Sequence, residues 1–324
     1  MPDVSVIVPT YNRKDSVRRT LAALERQTLD SERFEVIVVS DGSTDGTFEA
    51  VQALKTGLSL RVIQQSNSGP SVARNRGAAE ATAALLVFVD DDIEPSPEFL
   101  QVHLEAHDSE TGLVLIGPQT GPLGEPMPNW MAWEHLMLEK QYANFRSGVW
   151  KAGPNNLYSG NMSLRRDHFM ASGGFEEKFT RQEDVELGFR LEKLGLTFRF
   201  EPRADAIHRS SRSFASWYKT PFEYGRRDVQ MARDMGEGRM ASMARENFRS
   251  RSRLTRGLAY LAIGRPVVEK LLFGTTAALA RNSARRVALP FCSVLFNLRY
   301  LQGMCSELGG RRALWDLLNS SDRS

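Results

Sequence analysis

The sequence predicts an α/β protein with a mostly parallel sheet flanked by helices, followed by a helical C-terminal region. Strand-like and helix-like patterns alternate along the first half of the chain, and this order is typical of parallel strands joined by right-handed crossovers. The run Leu85–Val89 is apolar at every position, which indicates a strand buried on both faces. Residues 209–324 show only helical periodicity, so we expect helices alone in that region.

The predicted elements follow one another in a regular order. The first strand is expected at Val4–Val8, and the spacing of Val17, Leu21 and Leu24 predicts a helix over 14–28. The alternation continues with strands at 35–39, 60–63 and 85–89 and helices at 46–56 and 70–83. The middle of the chain is mixed, with helices at 97–108, 130–145 and 183–194 and strands at 113–117, 159–164 and 197–201.

Polar motifs follow three of the predicted strands. Pro9–Asn12 follows the first strand, Asp41–Ser43 the second and Asp90–Asp92 the fourth. Open parallel sheets bind ligands beyond the carboxyl ends of their strands, so we expect these motifs to share one site. Three adjacent carboxylates repel one another unless a cation neutralises them, and oxygen ligands at a strand end suit Mg²⁺ or Mn²⁺. The alternative for the acidic run is a solvated turn.

Charge divides the chain into two parts. Residues 1–208 hold 21 Lys and Arg against 30 Asp and Glu, whereas residues 209–324 hold 21 against 9. The basic part could meet anionic lipid, a phosphorylated acceptor or the acidic part of the chain. Nucleic acid is not an expected partner, because the arginines belong to no recognisable nucleic-acid-binding module.

Cysteine content and hydropathy bear on the compartment. Cys292 and Cys305 are too few for a disulfide framework, so we expect reduced thiols in a cytoplasmic protein. A strand pattern already begins at Val4, so no signal peptide is expected. No uninterrupted apolar stretch reaches the length of a membrane span. Two apolar-rich segments, 257–280 and 287–301, carry arginines nearby, and this pattern is compatible with peripheral contact with the inner face of a membrane. A helical subdomain or a homo-oligomer contact is the alternative.

Eight pieces of the chain, in order, resemble family 2 glycosyltransferases, which have the GT-A fold. They are VSVIVPTYNR (4–13), VIVVSDGSTDGT (36–47), NSGPSVARNRG (67–77), VFVDDDIEP (88–95), SGNMSLRR (159–166), GGFEEKF (173–179), EDVELGFRL (183–191) and His208. The resemblance implies a nucleotide-sugar-binding and catalytic domain over 1–210. The remaining residues, 211–324, form a basic helical region for acceptor, oligomer or membrane-surface contact.

The resemblance also implies where the donor binds. The nucleotide-sugar-binding residues are expected to be Pro9, Thr10, Tyr11, Asn12, Asp41, Arg74, Asp90, Asp91 and Asn161. Asp41 is expected to accept the imide N–H of uracil, and its alternative role is in a turn. Arg74 is expected to neutralise diphosphate charge, and its alternative role is a surface ion pair. Asn161 is expected to order the loop around the donor sugar.

Metal binding and catalysis are assigned to four residues in the same way. Asp92 would bind Mn²⁺ or Mg²⁺, and His208 would complete the metal shell, unless that histidine is a core or surface residue. Asp184 would act as the base, with Glu183 as the second candidate. Asp184 also lies at a predicted helix N-terminus, so its alternative role is a helix cap.

These assignments predict a metal-dependent, inverting transfer of a sugar from a nucleoside diphosphate sugar, with UDP-sugar as the expected donor. No Arg-Trp dipeptide occurs, so the Gln-x-x-Arg-Trp motif of processive synthases is absent and we expect non-processive transfer in cell-surface glycan or glycoconjugate biosynthesis. A nucleotidyltransferase is one alternative, although its usual Gly- and Arg-rich phosphate loop is replaced here by Pro9–Asn12. A catalytically inactive nucleotide-sugar-binding module is another.

Overall fold

The computed structural model describes residues 1–122, 124–179, 181–234 and 238–320. Its strands are β1 (Val4–Thr10), β2 (Phe34–Asp41), β3 (Ser59–Gln65), β4 (Leu85–Val89), β5 (Ile93–Pro95), β6 (Leu113–Ile116), β7 (Gln119–Thr120), β8 (Asn161–Arg165), β9 (Thr197–Phe200) and β10 (Ala206–His208). Its helices are α1 (Lys14–Leu24), α2 (Thr47–Gln52), α3 (Pro70–Glu80), α4 (Phe99–Ser109), α5 (Asn129–Arg146), α6 (Arg166–Ala171), α7 (Glu183–Lys193), α8 (Phe214–Asp234), α9 (Gly238–Ser250), α10 (Arg253–Ala262), α11 (Pro266–Asn282), α12 (Arg285–Glu307) and α13 (Arg311–Asn319).

The main sheet has seven strands in the order β3-β2-β1-β4-β8-β6-β9. Strands β1 to β4 pair in parallel, as do β6 and β9, whereas β8 runs antiparallel to both of its neighbours. The predicted α/β class with a mostly parallel sheet is therefore confirmed. The antiparallel insertion of β8 depends on pairing between distant segments, which the local pattern does not encode.

The core of the sheet explains the apolar run at 85–89. Leu85, Val87 and Val89 pack into one hydrophobic cluster, whereas Leu86 and Phe88 pack into another. Successive residues of a strand point to opposite faces, so both faces of β4 are covered. The strand thus leaves the core only at its carboxyl end, and the acidic run begins there.

A second, three-stranded sheet has the order β5-β10-β7. Strand β10 runs antiparallel to β5, with His208 paired to Ile93. The backbone N–H of Arg209 also donates to the carbonyl of Asp92 over 2.8 Å. These bonds bring the end of β10 to the residue that follows the acidic run of β4.

The chain divides into two compact units. The first comprises residues 1–124 and 137–210, and the second comprises 125–136 and 211–324. The segment 125–136, which the sequence analysis grouped with the first domain, packs within the second unit. Its Trp130 donates through Nε1 to the carbonyl of Arg212, and Trp133 packs edge-to-face on Trp217 with ring centroids 5.9 Å apart. Burial of these indoles explains the difference from the sequence expectation.

Helices are the regular elements of the second unit among its described residues. Helices α8 and α12 pack closely at two glycines, because a Cβ on Gly225 would collide with the carbonyl oxygen of Tyr300 and one on Gly303 with that of Phe222. A core of Trp217, Leu295 and Leu298 surrounds this crossing. None of the described helices combines the length and the hydropathy that a bilayer-spanning segment requires.

Candidate active site

The carboxyl ends of β1, β2 and β4 meet at one edge of the sheet. Thr10, at the end of β1, donates through Oγ1 to Asp91 Oδ2 over 2.7 Å. Asn12 has a positive φ of 53° and accepts the backbone N–H of Thr44 on its Oδ1 over 2.7 Å. Asparagine tolerates this left-handed conformation better than most residues. The motifs that follow the three strands are therefore bonded to one another directly.

Asp41 holds the loop that follows β3. Its Oδ1 accepts from Gln65 Nε2 and from the backbone N–H of Ser68, each over 2.8 Å. Its Oδ2 accepts the N–H of Gly69 over 2.9 Å. The buried carboxylate therefore sets the position of the loop that leads into α3, and Oδ2 keeps a free lone-pair direction for a further donor.

Arg74 joins the acidic run to the start of α7. Its Nη2 lies 2.7 Å from Asp90 Oδ1 and its Nη1 lies 2.9 Å from Glu183 Oε1. The guanidinium also lies over the ring of Phe175, with 5.4 Å to the centroid. Burial acts to lower the pKa of Arg74, but the two carboxylates outweigh it and raise that pKa. A buried cation thus connects two motifs that lie far apart in the sequence.

Asp92 lies between a guanidinium group and an imidazole ring. Arg13 Nη1 lies 2.5 Å from Asp92 Oδ2, and His208 Nε2 lies 3.4 Å from Asp92 Oδ1. Burial acts to raise the pKa of Asp92, but the hydrogen bond and charge of His208, together with Arg13, hold that pKa well below its usual range. The neighbouring Asp91 behaves differently, because burial raises its pKa to about 7 despite Arg13 and Thr10.

The donor atoms at Asp92 and His208 suit a hard divalent cation. A carboxylate oxygen and an imidazole nitrogen are ligands that Mn²⁺ accepts, and Mg²⁺ in such sites takes one or two protein ligands with substrate phosphates completing its shell. Among the described residues, no group of three or more His, Cys, Asp or Glu side chains is arranged to hold a metal ion by itself. A cation held by Asp92 and His208 would take its remaining ligands from substrate phosphates or water.

Asp184 lies in the first turn of α7 and is partly exposed. Its Oδ1 accepts the N–H of Val185 over 2.8 Å, and its Oδ2 accepts the N–H of Ser159 over 3.4 Å. Burial raises the pKa of Asp184, and the charge of Glu183 raises it further. A carboxylate with a raised pKa is better matched to accept a proton near neutral pH than an ordinary aspartate is.

Two residues expected at the donor lie within the protein. Pro9 is a buried residue of β1. Asn161 is fully buried, and its Nδ2 donates to the carbonyls of Pro118 and Ala204 over 2.8 and 2.9 Å. Its Oδ1 lies 3.2 Å from Nε2 of His103. These bonds occupy the amide, so Asn161 holds two loops in place. Tyr11, by contrast, is exposed.

Sequence reasoning missed Arg13 as a member of the site. It ends the PTYNR motif and contacts both Asp91, over 3.2 Å, and Asp92. The signal was present, because three carboxylates at a strand end require a cation and Arg13 follows the neighbouring strand β1. The same reasoning assigned neutralisation to a metal ion alone.

Comparison with known proteins identifies related chains. A family model described as Glycosyl transferase family 2 matches residues 5–172. Validoxylamine A glucosyltransferase of Streptomyces hygroscopicus subsp. limoneus is 34% identical over 222 residues, which are 60% of this chain and 49% of that protein. Glycosyltransferase AglE of Haloferax volcanii is 28% identical over 236 residues, 71% of this chain and 74% of that protein. The chain spans about half the length of the validoxylamine A glucosyltransferases it matches.

Solved structures share the fold. Residues 1–349 of TarS from S. aureus in complex with UDP match with a TM-score of 0.54 and 22% identity, over 95% of this chain and 92% of that one. Mannosyltransferase PcManGT from Pyrobaculum calidifontis, in complex with GDP-Man and Mn²⁺, matches with a TM-score of 0.59 and 18% identity, over 93% and 87% of the two chains.

Proposed function

This chain belongs to glycosyl transferase family 2, as its motifs predicted, and on that premise we propose that it transfers a sugar from a UDP-sugar to an acceptor hydroxyl with inversion. The observation that supports this most is the bridge from Arg74 to both Asp90 and Glu183. It holds the start of α7, and with it Asp184, to the acidic run at the end of β4. A base and a diphosphate site are the two parts that such a transfer requires.

Asp184 is the proposed base. In a single displacement, its carboxylate takes the proton of the acceptor hydroxyl while the acceptor oxygen bonds to the anomeric carbon and the diphosphate leaves. The raised pKa of Asp184 suits this role. Glu183 is the less suitable candidate, because Arg74 already binds its carboxylate over 2.9 Å.

Asp92 and His208 are the proposed holders of Mn²⁺ or Mg²⁺. Bound there, the cation offsets the negative charge that develops on the leaving diphosphate. Arg13 lies against the same carboxylate and contributes positive charge from the protein itself.

UDP is the proposed nucleotide, with Asp41 Oδ2 as the acceptor for the imide N–H of uracil and with Thr10, Tyr11 and Asn12 beside it. TarS binds UDP and UDP-GlcNAc and PcManGT binds GDP-Man, so solved structures of this fold support a nucleoside diphosphate sugar in general. We place the reaction in non-processive glycan or glycoconjugate synthesis. Residues 211–324 are proposed to meet the acceptor or a membrane surface.

A calorimetric titration tests the donor assignment. UDP is compared with GDP, CDP and dTDP, each with and without Mn²⁺, and the expected result is metal-dependent binding of UDP alone. Preference for GDP would make the donor a GDP-sugar and leave the proposed reaction unchanged. If none of the four nucleotides bound, the proposed donor site would be overturned.

Donor turnover separates the alternative functions. A UDP-sugar panel incubated with Mn²⁺ is expected to release UDP. Release of pyrophosphate would indicate a nucleotidyltransferase. Tight UDP binding without turnover of any donor or acceptor would indicate an inactive binding module.

A further inference from the structure

The second unit contains a cavity of about 460 Å³ between α9, α10 and α13. Three arginines, Arg249, Arg253 and Arg256, line it together with the rings of Phe248 and Tyr260. Its volume lies in the range of small-molecule sites. None of the family motifs falls in this region, so nucleotide-sugar binding does not account for the cavity.

Within the part of the chain that the structure describes, the three arginines of the cavity form no ion pair with a carboxylate. Among the described residues, no carboxylate pairs with Arg253 or Arg256, and Nε of Arg256 is buried without an acceptor. Arg249 donates to the backbone carbonyl of Ser320 over 3.3 Å. Arg253 is also the first residue of α10, where the helix dipole adds positive potential. Clustered guanidinium groups of this kind bind phosphate in fork geometry.

The aromatic wall of the cavity is held in place by its neighbours. The ring of Tyr260 stacks on Trp315 with centroids 4.2 Å apart, and its hydroxyl donates to Asn319 Oδ1 over 2.9 Å. Phe248 packs edge-to-face against Tyr260 at 5.8 Å. A ligand in the cavity therefore meets guanidinium groups on one side and a fixed apolar wall on another, which suits a phosphate joined to an apolar group.

The surface beside the cavity is apolar and basic. On α10, Leu254 and Leu261 are 67% and 51% exposed, and on α11, Val267 and Leu271 are 74% and 67% exposed. Residues 249–287 contain nine Lys and Arg but a single acidic residue, Glu269. Exposed leucines among uncompensated cations are typical of helices that lie on an anionic membrane.

We propose that this cavity binds the phosphate of an anionic phospholipid headgroup, with Leu254 and Leu261 entering the membrane interface beside it. The charge of the surrounding surface favours an anionic bilayer over a zwitterionic one. This inference rests on the membrane-surface role proposed for residues 211–324 and involves no sugar transfer.

The test uses the full chain and two charge-matched double variants. R253Q/R256Q removes two cations from the cavity, and K270Q/R286Q removes two exposed cations outside it. Dihexanoyl phosphatidylglycerol below its micelle concentration is titrated into each protein, and inorganic phosphate serves as the soluble comparison. Wild type and K270Q/R286Q are expected to bind the lipid at one saturable site. R253Q/R256Q is expected to bind it at least about tenfold more weakly, because two guanidinium donors to the phosphate are lost.

Vesicles supply the second readout. Wild type is expected to sediment with phosphatidylcholine vesicles that contain phosphatidylglycerol but not with phosphatidylcholine alone, and L254S/L261S is expected to lose that binding while keeping the short-chain lipid site. Equal loss in the two charge variants would overturn the proposal in favour of diffuse attraction. If inorganic phosphate bound as tightly as the lipid, the ligand of the cavity would be a soluble phosphate, and the lipid proposal would be overturned.

Two controls keep the outcomes separate. The single variant Arg253→Gln changes an exposed residue and is expected to retain the fold, so it reports on the site if the double variant unfolds. UDP affinity is measured for every variant. Loss of lipid binding with unchanged UDP binding supports the assignment of lipid binding to the cavity. Intact lipid binding in a protein that does not bind UDP would overturn the proposed donor site but not the proposed lipid site.

Discussion

Nε2 of His208 lies 3.4 Å from a carboxylate oxygen of Asp92, although one residue ends β10 and the other follows β4. The small sheet of β5, β7 and β10 creates this contact, because His208 pairs with Ile93, the residue after Asp92. The two side chains thus offer one oxygen and one nitrogen donor at the edge where the strands of the main sheet end.

Replacement of His208 by Ala is expected to weaken Mn²⁺-dependent UDP binding by about tenfold or more, because a donor to the cation is lost. Asp92→Ala is expected to abolish the metal dependence. Calorimetric titration of UDP with and without Mn²⁺ measures both effects. In EDTA the His208 variant and the wild type are expected to bind UDP equally. A metal dependence that survives in Asp92→Ala would place the cation elsewhere.

Asp184→Asn is expected to lower the rate of transfer by about 10²- to 10⁴-fold, the usual contribution of a general base, while UDP affinity stays unchanged. Because the pKa of Asp184 is raised, the active carboxylate is lost as pH falls through that raised value, and the transfer rate is expected to fall on the acid side. Rates of sugar transfer across pH, with UDP titration as the control, measure this. If Asp184→Asn retained turnover, the general base would be another residue.

Arg74→Gln is expected to destabilise the first unit by about 3 kcal/mol, because the carboxylate of Glu183 is left buried without its partner. Urea unfolding of the variant measures the loss. The double variant R74Q/E183Q is the matched control and is expected to recover part of it, since both charges are then removed together. Additive losses in the double variant would show that the pair is not coupled.

Gly225→Ala is expected to destabilise the helical unit, because the added methyl group collides with the carbonyl oxygen of Tyr300 where α8 crosses α12. Overpacking of this kind costs about 1–3 kcal/mol. Gly274→Ala is the control, since a Cβ at Gly274 in α11 meets nothing within 4 Å and alanine there is expected to stabilise by about 0.5–1 kcal/mol. Thermal unfolding compares the two variants. Equal effects would argue against close packing at the crossing.

His103 and His107 are expected to make the fold acid-sensitive. Burial lowers the pKa of His103 to about 3 and that of His107 to about 4, from an ordinary 6.5. The unfolded chain therefore binds more protons below pH 6.5, and stability is lost as pH falls from 6.5 toward 4, by about 1.4 kcal/mol per pH unit for each histidine.

Urea unfolding between pH 8 and pH 4 measures this slope. His103→Gln is expected to reduce it by about half, and the difference between variant and wild type above pH 7 reports only the lost contacts with Ser163 and Asn161. A slope that does not change in the variant would assign the acid sensitivity to other groups.

Local pattern was enough to predict most of the elements and the edge of the sheet at which the polar motifs lie. The strand at Leu85–Val89 has the predicted bounds, and Thr10, Asp41 and Asp92 lie at the predicted edge. The physical reason is that parallel strands buried on both faces must be apolar, and their carboxyl ends must meet at one edge of the sheet. Family motifs then indicated the more distant candidates, Asp184 and His208.

The tertiary structure decided which of these side chains touch. Nothing in the local pattern of α3 indicates that Arg74 pairs with Glu183, or that Arg13 binds Asp92 beside His208. The same holds for the antiparallel β8 and for segment 125–136, which packs in the second unit. Hydrophobic periodicity indicates which face of a helix or strand is buried. Contacts between distant elements depend on the folded chain as a whole, because each buried charge needs a partner and each apolar surface needs another apolar surface to pack against.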